Sequence, residues 1–375
     1  MTSSHTFSTQ NLAHLFKFLS QPPPPQQFSK QLKMLLIRPL RNIHRDCRAI
    51  PPALANFHLG TISPFSSTSK SRQPAHEVKH LTVIGAGLMG SGIAQVAAQA
   101  GIAVTVHGMN EEICKQSNSI INQSLKRIAK KKFPEDQAKQ ATAFIEAVNK
   151  NLKFATELKN AVDHQKTDLI IEAIVEKIQI KQELFKALDH LIENPNTIFT
   201  SNTSSLKIAD ISQAVSAHRK KQFAGLHFFN PVPQMKLVEV IKTDQTSDET
   251  AQRLINFANQ LGKSPVTCTD TPGFIVNRLL VPYLLEAMRM LERGEATKED
   301  IDTAMKLGAG HPMGPIELSD YVGLDTMKFI SDGWRESRVQ SGEIDKALVE
   351  PVKALDQLVR DGKLGRKTNE GFLKY

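Results

Sequence analysis

The chain shows two kinds of apolar spacing between about residue 79 and residue 270. Short, mostly apolar runs are typical of strands buried in a sheet, and the stretches between them have the three- and four-residue spacing of helices. The runs that predict strands are Leu81–Ile84, Ala103–His107, a segment around Leu152, Asp168–Glu172, Thr197–Ser201, Phe223–Leu226 and Pro265–Thr267. Strands separated by helical lengths predict a parallel sheet with helices on both faces.

Beyond the last of these runs the pattern changes to helices alone, and the segment Thr271-Pro-Gly marks the change. The helices predicted before it span about 111–132, a segment from about 135, and 178–191; those after it span about 274–293, a segment from Thr297 with a capping signature, about 323–338 and about 350–360. We therefore expect three parts: a leader at 1–76, an α/β domain at 77–270 and an all-helical domain at 271–375.

The leader is rich in Ser, Thr, Gln, Pro and Arg, and it holds nine of the 47 Lys and Arg residues against a single acid, Asp46. This composition matches a mitochondrial transit peptide, and Arg38, Arg41 and Arg45 can form one basic stripe on a helix. We expect import into the mitochondrial matrix. A disordered tail that carries no address is the alternative.

The net charge of +9 belongs almost wholly to this leader, because residues 77–375 hold 38 basic and 37 acidic residues. A nucleic-acid-binding protein would carry its basic surface on a folded face, so we expect no nucleic-acid partner. No uninterrupted apolar stretch reaches the roughly 18 residues of a membrane span. The three scattered cysteines, Cys47, Cys114 and Cys268, indicate neither a disulfide framework nor a metal cluster.

A glycine-rich turn follows the first predicted strand and precedes a helix of small residues. It reads Gly85-Ala86-Gly87-Leu88-Met89-Gly90. The first glycine permits a tight turn, the second lets the backbone approach a pyrophosphate, and the third lets the helix pack closely on the strand. The helix N-terminus then offers free N–H groups to phosphates. These six residues predict a dinucleotide site in a Rossmann-like, doubly wound sheet domain.

One position departs from the pattern of such sites. The second strand should be followed by an acid that hydrogen-bonds the adenosine ribose of NAD, and Gly108 stands there instead. No Arg is nearby to accept a 2′-phosphate, although His107 and Lys115 keep NADP open, and Asn110 or Glu111 could reach the ribose. Restoring an acid by Gly108→Asp is expected to tighten NAD(H) binding.

Six motifs in order along the chain resemble the mitochondrial L-3-hydroxyacyl-CoA dehydrogenase family over about residues 79–375. They are Gly85-Ala-Gly-Leu-Met-Gly90, Glu172-Ala-Ile-Val-Glu176, Ser201-Asn-Thr-Ser-Ser205, Leu226-His-Phe-Phe-Asn-Pro231, Asp270-Thr-Pro-Gly-Phe-Ile-Val-Asn277 and His311-Pro-Met-Gly-Pro315. The resemblance implies oxidation of a 3-hydroxyacyl-CoA to the 3-ketoacyl-CoA with NAD in fatty-acid beta-oxidation. It also implies a homodimer formed through the helical domain.

The resemblance assigns the catalytic roles to four residues. His227 would be the general base, a role that suits an imidazole at neutral pH. Glu176 would be the carboxylate that orients it, and Ser204 and Asn277 would hold the substrate oxygen. From the residues alone, His227 could equally be a satisfied core residue, Glu176 a solvated helix-start acid and Ser204 part of a helix cap.

Further contacts follow from the same resemblance. Besides the glycine turn, the cofactor would contact Glu176, Lys181, Ser204, Asn230 and Lys367. The coenzyme A part of the substrate would contact Ser124, Lys131 and Ser204. Lys131 lies in a basic run that a solvated helix face would also explain.

Two alternatives remain open at this point. One is a 3-hydroxybutyryl-CoA dehydrogenase or another beta-hydroxyacid dehydrogenase on the same scaffold, including one linked to NADP. The other is a non-catalytic, crystallin-like relative that kept the fold and lost turnover. The presence of His227, Glu176, Ser204 and Asn277 weighs against the second alternative.

Overall fold

A computed structural model of the chain describes residues 77–375, so the transit-peptide prediction lies outside the described residues. The strands are β1 (His80–Ile84), β2 (Ala103–His107), β3 (Leu152–Ala155), β4 (Leu169–Glu172), β5 (Ile198–Ser201), β6 (Phe223–Phe228), β7 (Leu237–Lys242) and β8 (Ser264–Thr269). The helices of the sheet region are α1 (Leu88–Gln99), α2 (Glu111–Lys132), α3 (Ala138–Lys150), α4 (Leu158–Ala161), α5 (Ile178–Leu191), α6 (Ile208–Ile211) and α7 (Asp248–Gln260).

The eight strands form one sheet in the order β3-β2-β1-β4-β5-β6-β7-β8. Every neighbouring pair is parallel except β6 and β7, which run antiparallel. The doubly wound sheet predicted from the apolar spacing is therefore confirmed, with one antiparallel pair that the spacing did not predict. None of the helices among residues 77–375 is both long enough and apolar enough to cross a bilayer.

Helices cover both faces of the sheet and bury a separate core on each. On one face Ile93 of α1 and Ile121 of α2 join the strand residue Val83 in a cluster that excludes water. On the other face Phe185 of α5 packs against Phe223 of β6 with ring centroids 4.7 Å apart. Coverage on both sides explains why every residue of β4, β5 and β6 is buried, rather than every second one.

The order in which strands are added to the sheet reverses at β1, which pairs with β2 on one side and β4 on the other. In an open parallel sheet this switch leaves a crevice beyond the carboxyl ends of the strands, where ligands bind. Gly85 follows β1 immediately, and Glu172 is the last residue of β4. The fold therefore places the glycine turn and the acidic end of β4 side by side.

The residues after β8 are helical, as the sequence predicts. The helices are α8 (Val276–Glu292), α9 (Lys298–Gly308), α10 (Pro315–Val322), α11 (Leu324–Gly333) and α12 (Lys353–Arg360). They enclose a third apolar cluster around Leu284 and Met288 of α8. The predicted cap is confirmed, because the Thr297 hydroxyl accepts a hydrogen bond from the Asp300 amide at 3.1 Å.

Five elements were absent from the sequence-based expectation: β7, α4, α6, α7 and α10. Strand β7 matters most for the site. It returns antiparallel beside β6, so that His227 and Glu239 occupy opposite positions in the two strands. A short connection of this kind breaks the strand-helix-strand alternation on which the expectation was built.

The carboxylate of Asp320 in α10 fastens the C-terminal segment to the helical region. It accepts hydrogen bonds from the Phe372 amide at 2.9 Å, the Leu373 amide at 2.8 Å and the Tyr375 hydroxyl at 3.2 Å. Gly371 packs against it so closely that a Cβ there would lie 2.1 Å from Asp320 Oδ1. Because Asp320 is buried, water cannot replace it as the acceptor for these groups.

We predict that Asp320→Ala lowers the free energy of unfolding by about 2–4 kcal/mol, since buried amides left without an acceptor cost roughly 1–3 kcal/mol each. Urea unfolding followed by circular dichroism measures this change. Tyr375→Phe, which removes only the 3.2 Å bond, serves as the control and is expected to cost less than about 1 kcal/mol. Equal stability of Asp320→Ala and the unaltered protein would contradict the role given to this carboxylate.

Candidate functional site

A cavity of about 630 Å³ lies at the carboxyl ends of the central strands, a volume in the range of sites for small molecules and cofactors. One wall comes from the sheet domain and the other from α11 and the residues that follow it. The predicted site residues that line it are Ala86, Gly87, Leu88, Met89, Glu176, Lys181, Ser204, His227, Asn230 and Asn277. The structure thus brings together most of the side chains that the motifs nominated.

The glycine turn has the shape that a bound pyrophosphate requires. Gly85 has φ of +116°, and a Cβ there would lie 2.4 Å from the Ala173 carbonyl oxygen. A Cβ at Gly90 would lie 1.7 Å from the Gly85 carbonyl oxygen, so α1 can approach the turn only because this residue is glycine. At Gly87 the same position meets nothing within 4 Å, and no side chain caps the N-terminus of α1. Open space beside free amides fits a dinucleotide.

His227 is buried near the end of β6, and its partner is Glu239 of β7. Nδ1 of His227 lies 2.7 Å from Oε2 of Glu239. The rings of Phe229 and Phe274 lie 4.5 Å and 5.6 Å from the imidazole, measured between centroids. A carboxylate at Nδ1 fixes the proton there and leaves Nε2 as the acceptor nitrogen.

The same carboxylate also holds the first helix of the C-terminal region. Its other oxygen, Oε1, accepts hydrogen bonds from the Ile275 amide at 3.1 Å and the Val276 amide at 2.9 Å. These amides begin α8, whose second residue is Asn277. Glu239 therefore fixes both the imidazole and the helix end that carries Asn277 into the cavity.

The expected pairing of His227 with Glu176 is corrected by this geometry, because Glu239 occupies Nδ1. Glu176 instead supports the turn that carries Ser204. It accepts hydrogen bonds from the Thr203 hydroxyl, the amides of Ser204 and Ser205 at 3.3 Å each, and the Ser205 hydroxyl at 2.9 Å. One visible signal could have found Glu239: a single acid inside the apolar run Val238-Glu-Val-Ile241.

Lys181 joins two acids at the base of the cavity. Its ammonium lies 2.5 Å from Glu172 Oε1 and 3.1 Å from Glu176 Oε2. Burial raises the pKa of Glu172, despite the hydrogen bonds from Lys181, Ser201 and the Ile174 amide. Burial alone would raise the pKa of Glu176 too, but the Lys181 charge and the neighbouring hydroxyls hold it below its usual value. Lys181 thus serves first to neutralise buried carboxylates.

Ser124 and Lys131 continue the face of α2 that lines the cavity. Ile113 and Ile120 line it directly, and a helix of 3.6 residues per turn brings Ser124 and Lys131 onto the same face. Lys131 is exposed and lies about 16 Å along the helix from Ile120. These two residues do not line the cavity, but they lie on the α2 face that Ile113 and Ile120 present to it.

Lys367 stands apart from the other nominated residues. It does not line the cavity, and its ammonium pairs with the Asp325 carboxylate beside Gly323. The expected contact of Lys367 with the nicotinamide side stays a prediction. In this structure the turn Arg366–Thr368 is held against α10 and α11 by Arg366–Glu317 and Lys367–Asp325 ion pairs.

The structure also alters the expectation for Gly108. A Cβ there would lie 2.7 Å from Cys114 Sγ and 3.2 Å from the Ala86 Cβ. Gly108→Asp alone is therefore blocked by the packing of Cys114. Asn110, one of the alternative ribose contacts, uses its side-chain oxygen to cap α2 through the Ile113 amide at 2.9 Å.

Among residues 77–375 no group of three His, Cys, Asp or Glu side chains could hold a metal ion.

Two family models match consecutive parts of the sequence. The first, "3-hydroxyacyl-CoA dehydrogenase, NAD binding domain", matches residues 80–271, and the C-terminal domain of the same family matches residues 273–375. A Homo sapiens protein named "Hydroxyacyl-coenzyme A dehydrogenase, mitochondrial" is 54% identical over 310 residues, which cover 83% of this chain and 95% of that protein. A Mycobacterium tuberculosis 3-hydroxybutyryl-CoA dehydrogenase is 42% identical over 300 residues, covering 80% of this chain and 99% of that protein.

A solved structure agrees with these sequence matches. The (S)-3-hydroxybutyryl-CoA dehydrogenase from Ralstonia eutropha superposes with a TM-score of 0.71 at 35% identity, covering 80% of this chain and 99% of that one.

We predict that Glu176→Gln destabilises the fold by about 1–3 kcal/mol at pH 7, because charge-assisted hydrogen bonds to the Ser204 turn are lost. The folded state lowers the pKa of Glu176 below its usual value of 4.5. Its stabilisation is therefore complete above about pH 4.5 and is lost as the pH falls through the folded-state pKa.

Urea unfolding at several pH values from 7 down to about 2, a range that passes well below the usual carboxyl pKa, measures the difference between Glu176→Gln and the unaltered protein. Glu183→Gln is the matched control, since Glu183 is an exposed acid on α5. A difference that stays constant or grows as the pH falls would contradict the role of the Glu176 charge.

Proposed function

Because the chain belongs to the 3-hydroxyacyl-CoA dehydrogenase family, we propose that the cavity oxidises the 3-hydroxyl group of an L-3-hydroxyacyl-CoA to a ketone, with His227 as the general base. The enzyme is an NAD-dependent oxidoreductase. The observation that carries the proposal is the buried 2.7 Å hydrogen bond between His227 Nδ1 and Glu239 Oε2 in a cavity that also contains the glycine turn.

NAD, when bound, supplies the acceptor for the hydride. The backbone amides at the N-terminus of α1 and the open space at Gly87 would hold its pyrophosphate. Farther into the cavity, Glu176, Lys181, Ser204 and Asn230 lie where the nicotinamide end would be bound. Lys181 would act there mainly through Glu176, whose charge it balances.

His227 takes the proton of the substrate hydroxyl at Nε2. Glu239 keeps the other ring proton on Nδ1, so that the accepting lone pair points away from Glu239. As the imidazolium forms, the carboxylate 2.7 Å away stabilises its charge in a site from which apolar rings exclude water. Glu239, rather than Glu176, is thus the orienting residue in this proposal.

Ser204 and Asn277 hold the substrate oxygen as it changes from hydroxyl to carbonyl. Both line the cavity together with His227, and a hydroxyl and an amide can donate to a carbonyl oxygen or accept from an alcohol. Each is positioned by a carboxylate that accepts nearby backbone hydrogen bonds. Glu176 accepts from the Ser204 amide, and Glu239 accepts from the amides that begin α8 just before Asn277. Substrate positioning and base orientation therefore share the same two acids.

The coenzyme A part would extend along α2. Ser124 and Lys131 lie on the helix face that leaves the cavity, and Lys131 is one of three lysines in the last turn of α2. Coenzyme A carries phosphates, which Lys binds as a point charge. The exposed position of Lys131 leaves its ammonium available for such a contact.

The chain also invites a proposal about its assembly and location. Leu279 of α8 and Leu307 of α9 are 70% and 79% exposed, and in a homodimer formed through the helical region such apolar side chains would be covered. Relatives of the chain are named as mitochondrial proteins. Together with the composition of residues 1–76, this supports the mitochondrial matrix as its location.

The reverse reaction tests the proposal. NADH absorbance should fall when the protein is given acetoacetyl-CoA or longer 3-ketoacyl-CoAs, and His227→Gln should lower kcat by about 10²–10⁴-fold with little change in NADH binding. Turnover of acetoacetyl-CoA alone would favour a 3-hydroxybutyryl-CoA dehydrogenase. Absence of turnover with every acyl length, although NADH binds, would contradict the proposal in favour of a crystallin-like relative.

We predict that Glu239→Gln lowers kcat by roughly 10²–10⁴-fold, because the amide cannot stabilise an imidazolium as a carboxylate does. The amide oxygen can still accept from the Ile275 and Val276 amides, so α8 should keep its position. Steady-state kinetics at saturating NADH, with KM for acetoacetyl-CoA recorded separately, measures the effect. Glu176→Gln is the comparison variant, and near-normal kcat for Glu239→Gln with a collapse for Glu176→Gln would restore Glu176 as the partner.

A further inference from the structure

The position after β2 is the one place where the cofactor site lacks a group that NAD sites ordinarily have. In sheets of this kind an acid at this position accepts a hydrogen bond from the ribose 2′-hydroxyl of NAD. The same acid would repel the 2′-phosphate of NADP, because both groups are negative. Gly108 provides neither the hydrogen bond nor the repulsion.

The geometry shows that this position faces the dinucleotide side of the sheet. The Gly108 amide donates to the Ala155 carbonyl at 3.0 Å, and the neighbouring Gly85 amide donates to His107 at 3.0 Å. A side chain at 108 would start 3.2 Å from the Cβ of Ala86, a residue of the glycine turn that lines the cavity. Residue 108 is therefore level with the turn on the adjacent strand.

The space of the missing side chain is taken by Cys114. Its buried Sγ would lie 2.7 Å from a Cβ at position 108 and lies 3.8 Å from the Ala155 carbonyl oxygen. Gly108 and Cys114 are thus a matched pair, in which the thiol fills the volume that a side chain at 108 would need. An acid could be accommodated only after Cys114 became smaller or turned away.

The charged groups around this position are balanced in sign. Glu111 lies 3.7 Å from Lys115, and both are largely exposed. Glu112 accepts from Gln116 at 3.3 Å on the solvent side of α2. Burial lowers the pKa of His107 below its usual value, so this imidazole is neutral near pH 7. Asn110 and Glu111, the alternative ribose contacts, are engaged with the Ile113 amide and Lys115 respectively.

We propose that the Gly108–Cys114 pair makes the adenosine end of the cofactor site indifferent to a 2′-phosphate, so that the protein binds NADP(H) within about tenfold of NAD(H). The inference rests on the dinucleotide site at the glycine turn and concerns only its adenosine end. The protein then discriminates only weakly between NAD(H) and NADP(H), and the Gly108–Cys114 pair is the cause.

Direct binding measurements give the relative affinities for NAD(H) and NADP(H) without reference to turnover. Isothermal titration of the full chain with NADH and NADPH, and with ADP-ribose and its 2′-phosphate, should give dissociation constants that differ by less than tenfold within each pair. A preference for NADH above tenfold would overturn the inference while leaving the NAD site intact. Failure to bind either nucleotide would overturn both.

A pair of double variants separates charge from packing. Gly108→Asp combined with Cys114→Ala supplies a carboxylate with room for it, and Gly108→Asn combined with Cys114→Ala supplies the neutral isostere. The Asp variant should raise the ratio of the NADPH to the NADH dissociation constant at least tenfold above that of the Asn variant. Equal ratios in two variants that both bind NADH would show that residue 108 does not face the ribose and would overturn the inference.

Discussion

The carboxylate of Glu239 is the constraint on which the site depends. One oxygen lies 2.7 Å from Nδ1 of His227, and the other accepts the two amides that begin α8. A buried carboxylate is costly unless it is paired and hydrogen-bonded. Here the requirement is met by one group from the sheet and two from the helical region, so the charge is stable only while both are in place.

This arrangement joins the orientation of the base to the position of the helix that carries Asn277. The imidazole is fixed by β6 and β7, and the helix end is fixed by the same acid. A second acid, the half-buried Glu176, does the equivalent for the Ser204 turn, and Lys181 balances its charge. The polar groups that would meet the substrate oxygen are therefore each held from behind by a carboxylate.

Much of the fold could be predicted because its physical signals are local. Strands covered by helices on both faces are rich in apolar residues. Such segments predicted the bounds of β1, β2 and β4 to within a residue or two. The glycine turn could be interpreted because the backbone leaves no room for a side chain at Gly85 or Gly90. A Cβ at these positions would lie 2.4 Å and 1.7 Å from a carbonyl oxygen. The Gly90 contact lies within the strand-turn-helix unit itself, whereas the Gly85 contact is made with Ala173, directly after β4.

The parts that were missed depend on contacts between distant segments. Strand β7 is a short antiparallel return, and the sequence gives no helical stretch to separate it from β6. Because β7 was not predicted, nothing placed Glu239 beside His227, and Glu176 was assigned as the orienting carboxylate. The hydrogen-bond partners of Glu176 lie in another loop. The ion pair of Lys367 with Asp325 and the packing of Cys114 on Gly108 likewise arise only in three dimensions.

A double-mutant cycle on His227 and Glu239 tests the central claim most directly. If Glu239 acts through the imidazole, its charge has no catalytic role once the imidazole is gone, so the two effects cannot be additive. The double variant His227→Gln/Glu239→Gln should then have the same kcat for acetoacetyl-CoA reduction as His227→Gln alone, within a factor of about three. Multiplication of the two single losses would show that the residues act independently and would contradict the account.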